Sequence, residues 1–265
     1  MGFLAAAVLA LLAAIPSDAQ IVPFTDSGIA MGHVHLNVAD IEAQKKFWIT
    51  QFDAEPLAGD RLEGVKVPGM LILFTRKAAT HPSQSTVLDH FGFKVRSREE
   101  MVTNARASGY TITREFTGSE GFPNAYIVGP DGITIEVRED LTQKVRAEAH
   151  HLHYLLPDYM DLRSWYLATF PMQASQRGPH PSADIPGMNL TFANSKARDL
   201  GSKDGVIDHI GFEVRDLQSF CKKLTDHGVK VDRDASHSGD LALPHAFVTD
   251  PKGTLIELTE GLAKY

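Results

Sequence analysis

The chain has 265 residues, 43% hydrophobic and 22% charged, with 21 Gly, 14 Pro and one Cys, which excludes disordered, collagen-like and disulfide-scaffold classes. Its 26 Lys and Arg against 33 Asp and Glu leave a net charge of -7 without any basic stripe, which argues against a nucleic-acid partner.

Residues Phe3 to Ile15 form an unbroken apolar run, followed by Pro16 and the stretch Ser17-Asp18-Ala19. The pattern predicts a signal peptide over residues 1–19, cleaved after Ala19, and so a secreted or periplasmic protein. No Lys or Arg precedes the run, which leaves an uncleaved anchor or a mis-assigned start as alternatives. The run is shorter than the roughly 20 residues of a membrane span, and no other segment approaches that length, so no span is expected after cleavage. Residues 20 to about 30 read as a leader into the fold.

From there the chain repeats itself. His33, His90, His151 and His209 each open a strand-like run, at successive spacings of 57, 61 and 58. Leu88-Asp89-His90-Phe91-Gly92-Phe93-Lys94-Val95 returns as Ile207-Asp208-His209-Ile210-Gly211-Phe212-Glu213-Val214. Each run leads to a residue able to cap a helix, at Asp40, Ser97, Asp158 and Asp216, and Ser97 with Glu100 makes a capping box. Gly109 and Gly228 suit left-handed helix ends. The last strand of each unit starts from a Pro/Gly turn, at Pro68-Gly69, Pro130-Asp131-Gly132, Pro186-Gly187 and Pro251-Lys252-Gly253. The units therefore read as βαβββ, four times, an α+β fold. Cys221 shares an i, i+3, i+4, i+7 face with Leu217, Phe220 and Leu224 and is expected in the core.

Alternation puts Ile210, Phe212 and Val214 on one face of the fourth run and His209, Gly211 and Glu213 on the other, and the other units divide likewise. In the final strands Glu136 and Glu257 can share the histidine face, where the first and third units carry Leu73 and Thr191. Each half thus offers two His and one Glu: His33, His90 and Glu136, then His151, His209 and Glu257. A 2-His-1-carboxylate set leaves metal positions open; it suits Fe(II) and can also serve Mn(II) or Zn(II). His35 and His153 share the same face as a fourth ligand or a supporting donor, whereas His150 points the other way.

These motifs resemble the vicinal oxygen chelate superfamily, which includes glyoxalases, extradiol dioxygenases and fosfomycin-resistance enzymes. The resemblance covers about residues 31 to 262. It implies two tandem domains of two βαβββ modules each, 31–140 and 148–262, cupped around metals, with ligand roles for the six residues just named. It also implies a small-molecule substrate bound through adjacent oxygens. The triads, and Tyr126 ahead of Glu136, look more like extradiol dioxygenases than glyoxalase I, where four protein ligands are usual. That likeness makes Tyr126 a hydrogen-bond donor and His81 the proton carrier, with His237 and His245 as further candidates in the second half. The alternatives are a glyoxalase-like lyase, isomerase or transferase, and a metal-free binding protein of the bleomycin-resistance kind. Oligomeric state is left open.

Overall fold

The computed structural model describes residues 22–57, 62–196, 198, 200–232 and 243–265. The expected signal peptide and His237 lie outside the described residues. Among those described, no helix is long and apolar enough to cross a membrane.

The chain runs through four units. The first contains β1 (Ile29–Val38), α1 (Ile41–Phe52), β2 (Glu55–Pro56), β3 (Gly64–Val67) and β4 (Met70–Arg76). The second contains β5 (Leu88–Val95), α2 (Arg98–Ala107), β6 (Thr111–Thr117), β7 (Pro123–Val128) and β8 (Thr134–Glu139). The third contains β9 (Ala147–Leu155), α3 (Tyr159–Thr169), β10 (Gln173–Arg177), β11 (His180–Ile185) and β12 (Met188–Ala193). The fourth contains β13 (Ile207–Val214), α4 (Leu217–Asp226), β14 (His245–Thr249) and β15 (Leu255–Thr259).

Local chemistry sets the helix ends. Asp40, Ser97 and Asp216 each accept a backbone N–H from the first turn, which satisfies donors the helix cannot pair internally. Asp158 precedes α3 without a capping bond; its carboxylate takes Lys252 Nζ at 2.9 Å instead. Glu100 closes only half of the expected capping box, since its carboxylate pairs with Arg146 at 3.0 Å. Gly109 and Gly228 have φ of +81° and +79°, the left-handed conformation expected there.

The strands form two sheets, ordered β14-β15-β13-β1-β4-β3-β2 and β10-β11-β12-β9-β5-β8-β7-β6. The first joins unit one to unit four through antiparallel β1 and β13, and the second joins units two and three through β5 and β9. The sequence reading paired units within each half, one with two and three with four, so the partnership around each cup differs from that expectation. Four first strands with the same alternation specify which face is buried, not which neighbour lies alongside.

The apolar faces of both sheets join one core. Val34, Leu36, Phe91, Phe93, Leu152, Tyr154, Ile210 and Phe212 are all buried in it, with Cys221 from α4. Helix α1 links the sheets: Trp48 stacks on Phe91 at 5.8 Å between ring centroids, and Phe52 meets Phe93 at 4.9 Å. Helix α3 does the reverse, with Phe170 against Phe212 at 5.3 Å. Packing on one face of each sheet leaves the histidine face of each free to build a site.

Candidate metal centres

Each sheet gathers one buried group of three His and one Glu: His33, His35, His209 and Glu257 in the first, and His90, Glu136, His151 and His153 in the second. Within each group the potential donor atoms lie within 4.8 Å of one another. All six residues expected as ligands are present, but regrouped. His33 lies with His209 and Glu257, not with His90 and Glu136; His151 lies with His90 and Glu136, not with His209 and Glu257. The reason is the β1–β13 and β5–β9 pairing, which brings strands from opposite halves edge to edge. His35 and His153 complete the groups from the i+2 position of β1 and β9.

In the first centre His33 Nε2 and His209 Nε2 meet the same Glu257 oxygen, Oε2, at 2.9 and 3.0 Å. In the second, His90 Nε2 lies 3.0 Å and His151 Nε2 3.7 Å from Glu136 Oε2, and His153 Nδ1 lies 3.2 Å from His90 Nε2. Two glycines make these approaches achievable. A Cβ on Gly211 would stand 2.0 Å from His33 Cε1, and one on Gly92 would stand 2.2 Å from His151 Cε1.

Two aspartates that sequence reasoning passed over orient the rings. Asp89 bonds His90 Nδ1, and Asp208 Oδ2 lies 2.8 Å from His209 Nδ1. Neighbours on a regular strand face opposite ways, so such bonds need a local irregularity. The register shifts at these places: His90 pairs with His153 and Leu88 with Tyr154, while His209 pairs with His35 and Ile207 with Leu36. Asp89 and Asp208 are thus the extra residues of β-bulges, which re-aim side chains beside functional sites. The recurring Asp-His pair was the available signal. Arg198 in turn holds Asp89, and Asn37 donates to Asp208 Oδ1 at 2.7 Å.

His150 departs from the expected opposite face for the same reason. It is the extra residue opposite Gly92 and Phe93, and its Nδ1 lies 3.2 Å from His151 Nδ1.

Electrostatics follow from burial and these partners. Burial opposes charge on His90 and His209, but bonds to Asp89 and Glu136, and to Asp208 and Glu257, outweigh it and raise both to about 9. Burial alone tends to raise the two glutamates, yet His151 and His90 hold Glu136 well below the usual range, and His209 and His33 do the same for Glu257. Burial lowers His33, His35, His151 and His153. His150 falls to about 3 through burial and the charges of Arg177, Lys94 and Arg138.

A divalent metal fits both donor sets. His35 Nδ1 and Glu257 Oε1 at the first centre, and His151 Nε2 and His153 Nε2 at the second, are buried with no hydrogen-bond partner. Unpaired buried polar atoms are costly, and a metal ion supplies the missing partner. The lowered glutamates and the lowered histidines are in the protonation states that bind metal, whereas His90 and His209 would each give up a proton to it.

The surroundings of the two centres differ. The ring of Tyr126 packs edge-on against His90 at 5.1 Å, and burial with the Glu136 charge pushes its phenol up, so it stays protonated as a donor. Asn124 Nδ2 donates to Glu136 Oε1 at 2.6 Å. Arg177 bonds Thr191 Oγ1 at 2.8 Å and approaches Glu136 Oε1 at 3.8 Å. At the first centre Phe247 takes the place of Tyr126, 5.5 Å from His209. Leu71 and Leu73 pair with His33 and His35, and they pack with Leu243 and Leu262 in a separate apolar cluster. The C-terminal turn that carries Leu262 is pinned by Glu213 Oε1, which accepts Gly261 N at 2.6 Å and Leu262 N at 2.9 Å.

His81 belongs to neither donor cluster. Its Nδ1 bonds Thr80, its carbonyl accepts Val206 N, and its Nε2 has no hydrogen-bond partner. The β4–β5 connection carries it onto the 204–206 turn. His245 is tied to the Leu243 carbonyl at 2.8 Å.

Residues 148–258 match the family model of the Glyoxalase/Bleomycin resistance protein/Dioxygenase superfamily. The match lies in the C-terminal half. Solved structures extend the likeness of fold over most of the chain. Glyoxalase I from Zea mays superposes with a TM-score of 0.63 at 14% identity, over 88% of this chain and 92% of that one. A putative dioxygenase from Bacillus subtilis gives 0.60 at 13%, over 87% and 85%. The cppA protein from Streptococcus pneumoniae gives 0.51 at 12%, over 91% and 98%. No curated protein sequence matches the chain. The tandem α+β architecture expected from the four repeats is therefore the observed one, and the likeness at these identities is one of fold.

Proposed function

We propose that the protein is a metal-dependent enzyme that binds a small substrate through two adjacent oxygens at the centre built on His90, Glu136, His151 and His153. The observation that carries this reading is the gathering of three buried histidines and one buried glutamate whose donor atoms lie within 4.8 Å of one another. A bound divalent ion would supply Lewis-acid stabilisation of negative charge developing on those oxygens. The chain's own groups suit that task. Tyr126 offers its O–H beside His90, and Asn124 and Arg177 hold Glu136 in place. His180, half-buried with its ring 5.9 Å from His153, stands in for His81 as the group that takes up a proton. The first centre is walled by leucines and Phe247, and among the described residues Phe247 stands there in place of Tyr126.

The second cluster gathers three His and one Glu, one donor more than a 2-His-1-carboxylate set, and that larger set would suit a metal acting as a Lewis acid on adjacent substrate oxygens. This favours lyase or isomerase chemistry over the ring-cleaving dioxygenation expected from the sequence. Dioxygenation is the second reading. It requires His153 to stay off the metal, and the 3.2 Å contact of its Nδ1 with His90 Nε2 supports that role.

Elemental mass spectrometry of anaerobically purified protein tests the whole reading, with one or two divalent ions per chain expected. Absence of metal after reconstitution overturns it and leaves a binding protein. O2 uptake with catechols then separates the two chemistries: none is expected, and uptake lost in Glu136→Gln selects the dioxygenase. Export completes the proposal; N-terminal sequencing of secreted or periplasmic material should begin at Gln20.

A further inference from the structure

The second centre is flanked by two buried guanidiniums that share one carboxylate, and Arg138 Nη1 also lies 3.7 Å from Asp140 Oδ2. Arg138 and Arg177 are 6% and 7% exposed. Arg138 lies on β8 two residues beyond Glu136, on the same face, and Arg177 ends β10 at the opposite edge of the sheet. Glu120, between β6 and β7, bridges them: its Oε1 accepts Arg138 Nη2 at 3.4 Å and its Oε2 accepts Arg177 Nη1 at 3.2 Å. The same Nη1 lies 3.8 Å from Glu136 Oε1, so one guanidinium faces both Glu120 and the metal-ligand cluster. Arg177 is braced for this by its Nε bond to Thr191, and Arg138 by stacking on Phe122 with its Cζ 3.7 Å from the ring centroid.

Glu120 belongs to a connection that crosses the sheet's open side. Its neighbour Ser119 meets the β10–β11 turn so closely that a Cβ on Gly178 would stand 2.9 Å from Ser119 Oγ. A half-buried carboxylate on a hairpin connection is easier to exchange than the strand-borne arginines it meets. Planar guanidinium forks match carboxylates, and buried cations must keep an anionic partner.

We propose that Glu120 occupies the subsite for an anionic group of the substrate, which is a small organic acid whose carboxylate replaces Glu120 on Arg177 and Arg138 while its adjacent oxygens reach the neighbouring cluster. This rests on the metal-centre reading for the oxygen pair but not for the carboxylate. Among the described residues the first centre has leucines beside its histidines and no such arginine pair.

The test uses benzoate as the probe, with benzamide as its neutral isostere, on metal-free full-length protein by titration calorimetry. A carboxylate bound in the arginine pair should be lost in Arg177→Met and at least about ten-fold tighter in Glu120→Gln, because the competing charge is gone and a charge-assisted pair is worth roughly that factor. Benzamide should bind none of the variants. Thermal melts identify any variant that fails to fold, and Glu120→Ala repeats the gain-of-affinity arm. If removing the Glu120 charge weakens benzoate binding or leaves it unchanged, or if benzamide binds as well as benzoate, the proposal is overturned. Metal stoichiometry of the same proteins as purified, before metal is stripped for calorimetry, keeps the readings separable: Glu120→Gln should retain its metal, and absence of metal throughout would sink the enzyme reading while leaving the anion result to stand.

Discussion

Two glycines, two aspartates and a set of histidines determine the chemistry at the scale of single residues. Gly92 and Gly211 each leave room for the imidazole of the strand alongside. Adding one methyl group in a close-packed interior displaces the ring rather than being absorbed. Gly92→Ala should therefore remove metal from the second centre and spare the first, and Gly211→Ala the reverse; metal content of each variant should fall by about half, and loss of both ions from either would contradict independent centres. Protons report on the same groups. In the metal-free protein His90 and His209 titrate near 9, so both are charged at neutral pH, and metal must displace a proton from each. Calorimetry at pH 7.5 in buffers of different ionisation enthalpy should show release of about one proton per ion bound, fading above pH 9. The sign for stability is the converse. Because the folded values are raised, these groups stabilise the metal-free fold fully below about 6.5, and that contribution is lost as pH rises through about 9.

At the scale of elements, the β-bulges matter more than the strands' regular stretches. A strand of strict alternation would send Asp89 away from His90; the extra residue brings it back to Nδ1, where it fixes tautomer and ring orientation. Asp89→Asn and Asp208→Asn keep the shape and remove the charge, and each should weaken metal binding at its own centre by roughly 10- to 100-fold in competition with a chelator. Unchanged affinity would mean that backbone geometry alone orients the ring. The elements show how far the sequence was legible. Alternation along β5 and β13 identified the histidine face, and Asp40, Ser97 and Asp216 marked helix starts, because both signals are local. The inward turn of His150 and the Asp-His bonds were not legible, because a bulge depends on the strand across from it.

The whole molecule is organised by pairings that cross the chain's midpoint. Units one and four share one sheet, units two and three share the other, and α1 and α3 pack across the gap. Residues 31–140 alone would lack His151 and His209 and would expose the unpaired edges of β1 and β5. As an isolated fragment they should bind no metal as a monomer, and size exclusion should find them aggregated or paired with a second copy. A monomeric, metal-binding fragment would show that each half is self-sufficient.

The sequence by itself determined the repeat, the α+β class, the face that carries the histidines and the residue types able to ligate a metal, since all of these follow from local periodicity and spacing. Only the tertiary structure decided which histidine meets which glutamate, that His35 and His153 join them, that His81 lies against the 204–206 turn, and that one centre is walled by leucines while the other faces arginines. Those outcomes depend on which strand edges meet, and four similar edges carry no local label that selects a partner.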